Sequence, residues 1–269
     1  MKQPRSTSRF VPRSAPRSAP RSIVITGASS GIGEALALLY AATGVALALT
    51  GRDSERLEAV AQRCRTAGAR VDTAVIDVAD RAAMAEWLAR VDAAEPVDLL
   101  IANAGMSAGT GDGGETEEQA RRILAVNIDG VLNSIHPLLP AMRARRRGQI
   151  AVMASLAGFR GLPGAPAYCA SKAMVRVYGE ALRGDLAGEG IGVSVICPGF
   201  VKSRMTAVNR FPMPFLMETE AAARVIRRGL ERNAARIAFP WPMMAAVWLL
   251  ALLPPSWTDG LLRQAPRKP

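Results

Sequence analysis

Short apolar runs alternate along this chain with longer stretches in which apolar positions recur every three or four residues. The runs cover residues 23–26, 45–50, 71–76, 97–102, 149–154 and 191–197, with a shorter seventh at 236–239. The Ala-, Leu-, Glu- and Arg-rich stretches between them have helical spacing. Strand-length runs separated by helical segments predict βαβ units and a parallel sheet. The runs are almost continuously apolar, as strands are when helices cover both faces. The predicted fold is a Rossmann-like, doubly wound α/β domain with about seven parallel strands.

That pattern begins near residue 21 and ends near 240. Residues 1–20 repeat Pro-Arg-Ser-Ala and cannot pack a core, so they predict a disordered basic tail. They contain no apolar run of signal-peptide length. Residues 21–240 are the expected dinucleotide-binding catalytic domain. Residues 241–269 form an extension with an eleven-residue apolar run at 243–253 and a basic end. That run is too short to span a bilayer, which takes about 20 residues. Three readings of the extension stay open: packing on the body or on a partner subunit, a peripheral membrane contact through 241–262, and part of a substrate lid.

Composition narrows the function. The chain has 269 residues, 49% of them hydrophobic, and a formal charge of +11. Residues 1–21 carry six basic side chains and no acid, and the last ten carry three and no acid, which leaves +2 for the body. A near-neutral body argues against a nucleic-acid partner. The run Arg143, Arg145, Arg146 and Arg147 reads as a solvated helix end, where cations meet the negative end of the helix dipole. Three scattered cysteines, no C-x-x-C spacing and one histidine predict no metal site and fit a reducing, cytoplasmic setting.

Two motifs carry chemistry. The first predicted strand runs into Gly27-Ala-Ser29-Ser30-Gly31-Ile32-Gly33, and a helix begins at once. Glycines allow a sharp turn and close approach to a pyrophosphate, and the helix start offers free amides. At the end of the second strand, an acid would bind a ribose 2′-hydroxyl and select NAD. The chain has Gly51 there, followed by Arg52, which suits a 2′-phosphate. NADP is therefore the expected cofactor, with NAD the alternative. Asp53 reads as a helix N-cap. The second motif is Tyr168-Cys-Ala-Ser-Lys172, whose ends share one helix face. With three tyrosines and four lysines in the chain, a chance Tyr-x-x-x-Lys is expected about 0.04 times. Thirteen residues upstream, Ser155 follows a predicted strand, at the sheet edge where such folds bind ligands.

Together, T-G-A-S-S-G-I-G, N-A-G, the strand-end serine and Y-x-x-x-K resemble the classical short-chain dehydrogenase/reductase family, over residues 22 to about 235. The resemblance implies an NAD(P)-dependent oxidoreductase that interconverts a carbonyl and an alcohol. Tyr168 would be its general acid or base, Lys172 would stabilise the phenolate and hold the nicotinamide ribose, and Ser155 would bind the substrate oxygen. Asn127 matches the family's helix asparagine that supports a water link to the lysine. Asp77 and Val78 would touch the adenine. Asn103, Ala104 and Gly105 would line the cofactor cleft. Pro198, Gly199, Val201 and Ser203 would face the nicotinamide, with Ser203 standing where the family often has threonine. A homo-oligomer follows by the same analogy.

Residues 200–217 match the family's variable substrate loop. Their aromatic and methionine side chains suit an apolar small-molecule carbonyl or alcohol, with Arg204 and Arg210 available to a charged one. His136 and Cys169 read as packing residues. A non-catalytic NADP-binding sensor or scaffold is the rival function, which has no need of Ser155, Tyr168 and Lys172 together.

Overall fold

The structure, a computed structural model, describes residues 19–108, 114–209 and 211–263. Among these residues one sheet of seven parallel strands forms: β1 (Ser22–Thr26), β2 (Ala46–Gly51), β3 (Arg70–Val75), β4 (Leu99–Ala102), β5 (Gly148–Met153), β6 (Ile191–Pro198) and β7 (Arg236–Phe239). Their spatial order is β3-β2-β1-β4-β5-β6-β7. Each predicted run lies in a strand, with ends shifted by one or two residues. β4 starts late because the Val97 amide donates to the Asp92 carboxylate at 2.8 Å instead of to a neighbouring strand.

Every residue of β1, β4, β5 and β6 is buried, so both faces need a cover. The two-residue period of a strand divides that cover. Ile23 and Ile25 point into one core with Leu36 of α1 (Gly31–Tyr40), Leu57 and Val60 of α2 (Ser54–Thr66), and Ile226 of a later helix. Val24 points into the other, with Trp87 of α3 (Arg81–Ala94) and with Val175 and Leu182. The remaining helices are α4 (Glu117–Leu124), α5 (Gly130–Ile135), α6 (Leu139–Ala144), α7 (Pro166–Leu186), α8 (Arg204–Ala207), α9 (Thr219–Glu231), α10 (Trp241–Leu252) and α11 (Pro255–Arg263). A π-helical turn, Ala125–Asp129, joins α4 to α5.

The arginine run lies at the end of α6 as expected, with Arg143, Arg146 and Arg147 exposed, and it also makes specific bonds. Arg145 forms a two-pronged pair with Asp92, both bonds 2.9 Å long, and also donates to the Val97 carbonyl. Arg143 pairs with Glu189 at 2.8 Å, Arg147 pairs with Asp98, and Arg146 donates to the Gly188 carbonyl. The run ties α6 to the start of β4 and to the loop before β6. Its partners are distant in sequence, so helix-end position alone did not reveal them.

The chain goes from β1 outward to β3, then returns to β4 on the other side of β1. At such a reversal the loops at the carboxyl ends of β1 and β4 diverge and open a crevice. The crevice here has a volume of about 1450 Å³. That exceeds a pocket for one drug-sized molecule, about 300–1,000 Å³.

Candidate active site

The glycine turn forms one wall of the crevice. Gly27 and Gly31 have φ of +67° and +60°, which L side chains rarely adopt. A Cβ on Gly27 would come within 2.8 Å of the Ala104 backbone. A Cβ on Gly33 would lie 2.3 Å from the Gly27 carbonyl oxygen. Asn103 holds this arrangement: its Nδ2 donates to the carbonyls of Thr26 (2.9 Å) and Gly27 (3.2 Å). The Thr26 hydroxyl accepts from the amides of Asn103 and Ala104, both at 3.0 Å. Ser30, the N-cap of α1, makes no side-chain cap bond, so the helix start keeps free amides facing the cleft. These features fit a pyrophosphate: a backbone cradle that a Cβ would fill, at the positive end of a helix.

At the end of β2, a Cβ on Gly51 would lie 2.9 Å from the Ser29 hydroxyl. Arg52 reaches over the cleft, half exposed, 3.7 Å from the Asp77 carboxylate. Asp53 caps α2 as expected, accepting from the Arg56 amide at 3.0 Å. It also pairs with the Arg56 guanidinium at 2.7 Å. Arg56 lines the same end of the cleft and was missed in the sequence. Its signal is its place three residues after the N-cap, where the first turn of α2 folds back over its own start.

The opposite end is built from β5, α7 and the loop after β6. Ser155 follows β5 and caps a short 3-10 turn, its Oγ accepting from the Ala157 amide at 3.1 Å. Tyr168 lies in the first turn of α7, and Lys172 lies one turn further on. The Lys172 ammonium stands 5.8 Å from the Tyr168 ring centroid and donates to the Met153 carbonyl at 2.8 Å. Burial raises the Tyr168 phenol above its ordinary pKa, and a hydrogen bond with Ser155 partly opposes the rise. Burial lowers Lys172 to about 8.

All but two of the expected site residues line the crevice. Gly33 lies behind its wall, where the missing side chain lets α1 approach the glycine turn. Asn127 is fully buried in the π-helical turn. Its Oδ1 accepts from the Met106 amide at 2.8 Å, and its Nδ2 donates to the Met106 carbonyl and the Ser171 hydroxyl, both at 3.0 Å. Only the methylene-sized gap at Gly105 separates it from Lys172, since a Cβ there would be 3.2 Å from both Asn127 Oδ1 and Lys172 Nζ.

The loop at 200–217 divides. Phe211 and Pro212 face the cleft, with Phe211 edge-on to Phe200 at 6.1 Å. Phe215 turns outward and is exposed. Arg204 lines the cleft; Arg210 lies outside the described residues. α10 completes the wall with Met243, Val247 and Leu250, so the extension both packs on the body and roofs the site. Arg160 fastens it, donating to the Leu253 carbonyl at 3.1 Å and to the Thr258 hydroxyl. Cys169 is buried in the wall, and burial raises its thiol pKa. His136 is away from the cleft and bonds Tyr178 through Nε2 at 3.0 Å.

A family model for short chain dehydrogenases matches residues 21–212. The chain belongs to this family. Short-chain dehydrogenases are oxidoreductases, and the relatives agree. An uncharacterized oxidoreductase of Myxococcus xanthus is 40% identical over 242 residues, 90% of this chain and 96% of the relative. A 3-oxoacyl-acyl-carrier-protein reductase of Thermotoga maritima is 32% identical over 214 residues, covering 76% of this chain and 87% of the relative. A short-chain dehydrogenase from Sphingobium yanoikuyae, solved in complex with NADPH, superposes with a TM-score of 0.76 at 27% identity, covering 91% of this chain and 96% of its own. The family match ends before α9, so α9, β7, α10 and α11 all lie beyond the matched span.

Proposed function

We propose that this short-chain dehydrogenase interconverts a carbonyl and an alcohol on an apolar small molecule, with NADP as its preferred cofactor. The observation that carries the reading is the convergence of Ser155, Tyr168 and Lys172 at one end of a crevice whose other end holds Arg52 and Arg56. The glycine turn and the amides of α1, between those ends, would hold a pyrophosphate. A nicotinamide cofactor, when bound, supplies or takes up the hydride. Arg52 and Arg56 would meet a 2′-phosphate, and Gly51 puts no carboxylate at the last position of β2, while Asp53 and Asp77 are each paired with one of the two arginines. Asp77 and Val78 would border the adenine, while Asn103, Ala104, Gly105, Pro198, Gly199, Val201 and Ser203 would border the nicotinamide half.

In reduction, the Ser155 hydroxyl donates to the substrate oxygen and holds it beside the phenol. Tyr168 then donates its proton to that oxygen as the alcohol forms. The Lys172 ammonium stabilises the resulting phenolate. In oxidation the same proton returns to Tyr168. Asn127 is a positioning residue: it fixes Met106 in the loop after β4 and the Ser171 turn of α7, next to Lys172. The apolar walls from Phe200, Phe211, Met243 and Val247 favour a substrate without charge near its carbonyl.

The test is NADPH oxidation against a panel of apolar ketones and aldehydes. Turnover that falls at least about 1,000-fold in Tyr168→Phe, with NADPH affinity within about threefold, is expected. Equal turnover by the two proteins would reject the mechanism. NADPH binding without turnover on any carbonyl would favour the sensor reading.

A further inference from the structure

The helix that roofs the site has two apolar faces. α10 carries no charged residue, and its exposed positions are Trp241, Ala245, Ala246, Trp248, Leu249 and Leu252. These fall at i, i+4, i+5, i+7, i+8 and i+11, one continuous face about 18 Å long. The opposite face, Met243, Met244 and Val247, packs on the protein core. A surface helix ordinarily turns a polar face to water. Here Trp241 is 74% exposed, Trp248 55%, Leu249 59% and Leu252 61%. Trp257 on α11 is 75% exposed. Three of the chain's four tryptophans therefore stand on this one appendage, and the fourth, Trp87, is buried.

We infer that the outer face of α10 and α11 docks on an anionic lipid surface. Indoles gather where an apolar layer meets water, because the ring body is apolar and its N–H seeks a polar partner. The sequence that follows has the matching sign: α11 carries Asp259 and Arg263, and Arg267 and Lys268 come next along the chain. An apolar face with Trp at its margins, followed in the sequence by cations, is the pattern of a helix lying in the interface plane. Among the described residues no helix is long and apolar enough to cross a membrane, so the contact is peripheral. Arg160 keeps the helix pair seated when the outer face is engaged, through its bonds to Leu253 and Thr258. The inner face lines the substrate end of the crevice, so a molecule leaving the lipid passes beneath α10 to reach Ser155 and Tyr168. This last step rests on the proposed carbonyl chemistry; the docking itself does not.

The test uses the full chain with vesicles of phosphatidylcholine alone and with 30% phosphatidylglycerol. Co-sedimentation with the anionic vesicles is expected, at least about tenfold weaker for the variant Trp241→Ser, Trp248→Ser, Leu249→Ser, Leu252→Ser. NADPH affinity, read by fluorescence in both proteins, should be unchanged and reports folding. If that variant does not fold, Trp248→Ser alone is compared, with brominated lipid quenching the tryptophan emission of the parent more strongly. A parent protein that stays in the supernatant with both vesicles overturns the inference. So does a parent that is dimeric in light scattering and becomes monomeric on the same substitutions, since the face would then belong to a second copy. Absence of NADPH binding in both proteins would count against the proposed function and leave the vesicle result to decide the docking.

Discussion

Lys172 Nζ donates to the Met153 carbonyl at 2.8 Å while standing 5.8 Å from the Tyr168 ring centroid. The strand end thus fixes the ammonium, and one helical turn sets its distance from the phenol. This placement has a cost. Burial lowers Lys172 from 10.5 to about 8, so the folded protein releases its proton more readily than the unfolded chain does. The penalty is full below pH 8 and is relieved as pH rises from 8 to 10.5, where the unfolded chain binds more protons. Its size is at most about 3 kcal/mol. Lys172→Met removes the charge and its titration. Without cofactor, the melting temperature of the parent relative to this variant should rise by several degrees between pH 7.5 and pH 10, while the variant loses turnover. A difference that stays constant with pH would mean the ammonium is solvated.

Two guanidiniums at the β2 end give a prediction about cofactor choice. Arg52 and Arg56 both line the cleft, and Asp53, the nearest acid in sequence, is held by the Arg56 amide and side chain. A charge-assisted bond to a phosphate contributes about 1.5–3 kcal/mol. Arg52→Ala and Arg56→Ala should each weaken NADPH about 10- to 100-fold and change NADH less than about threefold. Titration calorimetry with both cofactors reads this directly. Equal losses for the two cofactors would remove the 2′-phosphate from this end of the crevice.

Close approach makes the third prediction. Gly33 has no room for a methyl group, which would lie 2.3 Å from the Gly27 oxygen and 2.6 Å from Asn103 Nδ2. Gly44, with φ of +84°, has open space around it. Gly44→Ala should cost about 1 kcal/mol through backbone strain alone. Gly33→Ala should cost several times more and abolish dinucleotide binding, because the glycine turn must shift. Thermal melts of the two variants, with and without NADPH, separate strain from steric collision.

The fold was legible because the central strands are apolar on both faces, and even the short run Arg236–Phe239 keeps the alternation of strand and helix going. The site was legible where a motif is local: the glycine turn, Ser155, and the Tyr168–Lys172 pair on one helix face. What the sequence hid depends on partners far along the chain. Arg145 reads as a cation at a helix end until Asp92 is placed beside it, 53 positions away. Arg160 sits in an ordinary loop until α11 folds back to it, 98 positions on. The apolar run 243–253 announces a helix, but periodicity cannot divide a wholly apolar helix into a face on the cleft and a face left open. Asn127 was found by resemblance, whereas its π-helical setting comes from tertiary packing and has no local code.

Glu115 carries the last prediction and belongs to the same class of hidden residue. The helix that bears Tyr168 begins at Ala165-Pro166-Ala167, and Ala165 has no side chain able to cap it. The cap comes from outside: Glu115 Oε2 accepts from the Ala167 amide at 3.0 Å. That bond joins the loop after β4 to the residue immediately before the phenol. It also places a carboxylate at the positive end of a helix, worth about 0.3–1 kcal/mol, besides satisfying an orphan amide. The sequence signal was the uncapped helix start, which required a partner that the adjacent residues could not supply. Glu115→Ala should lower kcat about 5- to 20-fold through a misplaced Tyr168, with KM changing less than about threefold. Glu115→Gln keeps an acceptor oxygen and should recover most of the loss. Steady-state kinetics of the two variants against one ketone decide it. If glutamine is as poor as alanine, the carboxylate charge matters more than the bond; if neither changes kcat, the cap does not position the phenol.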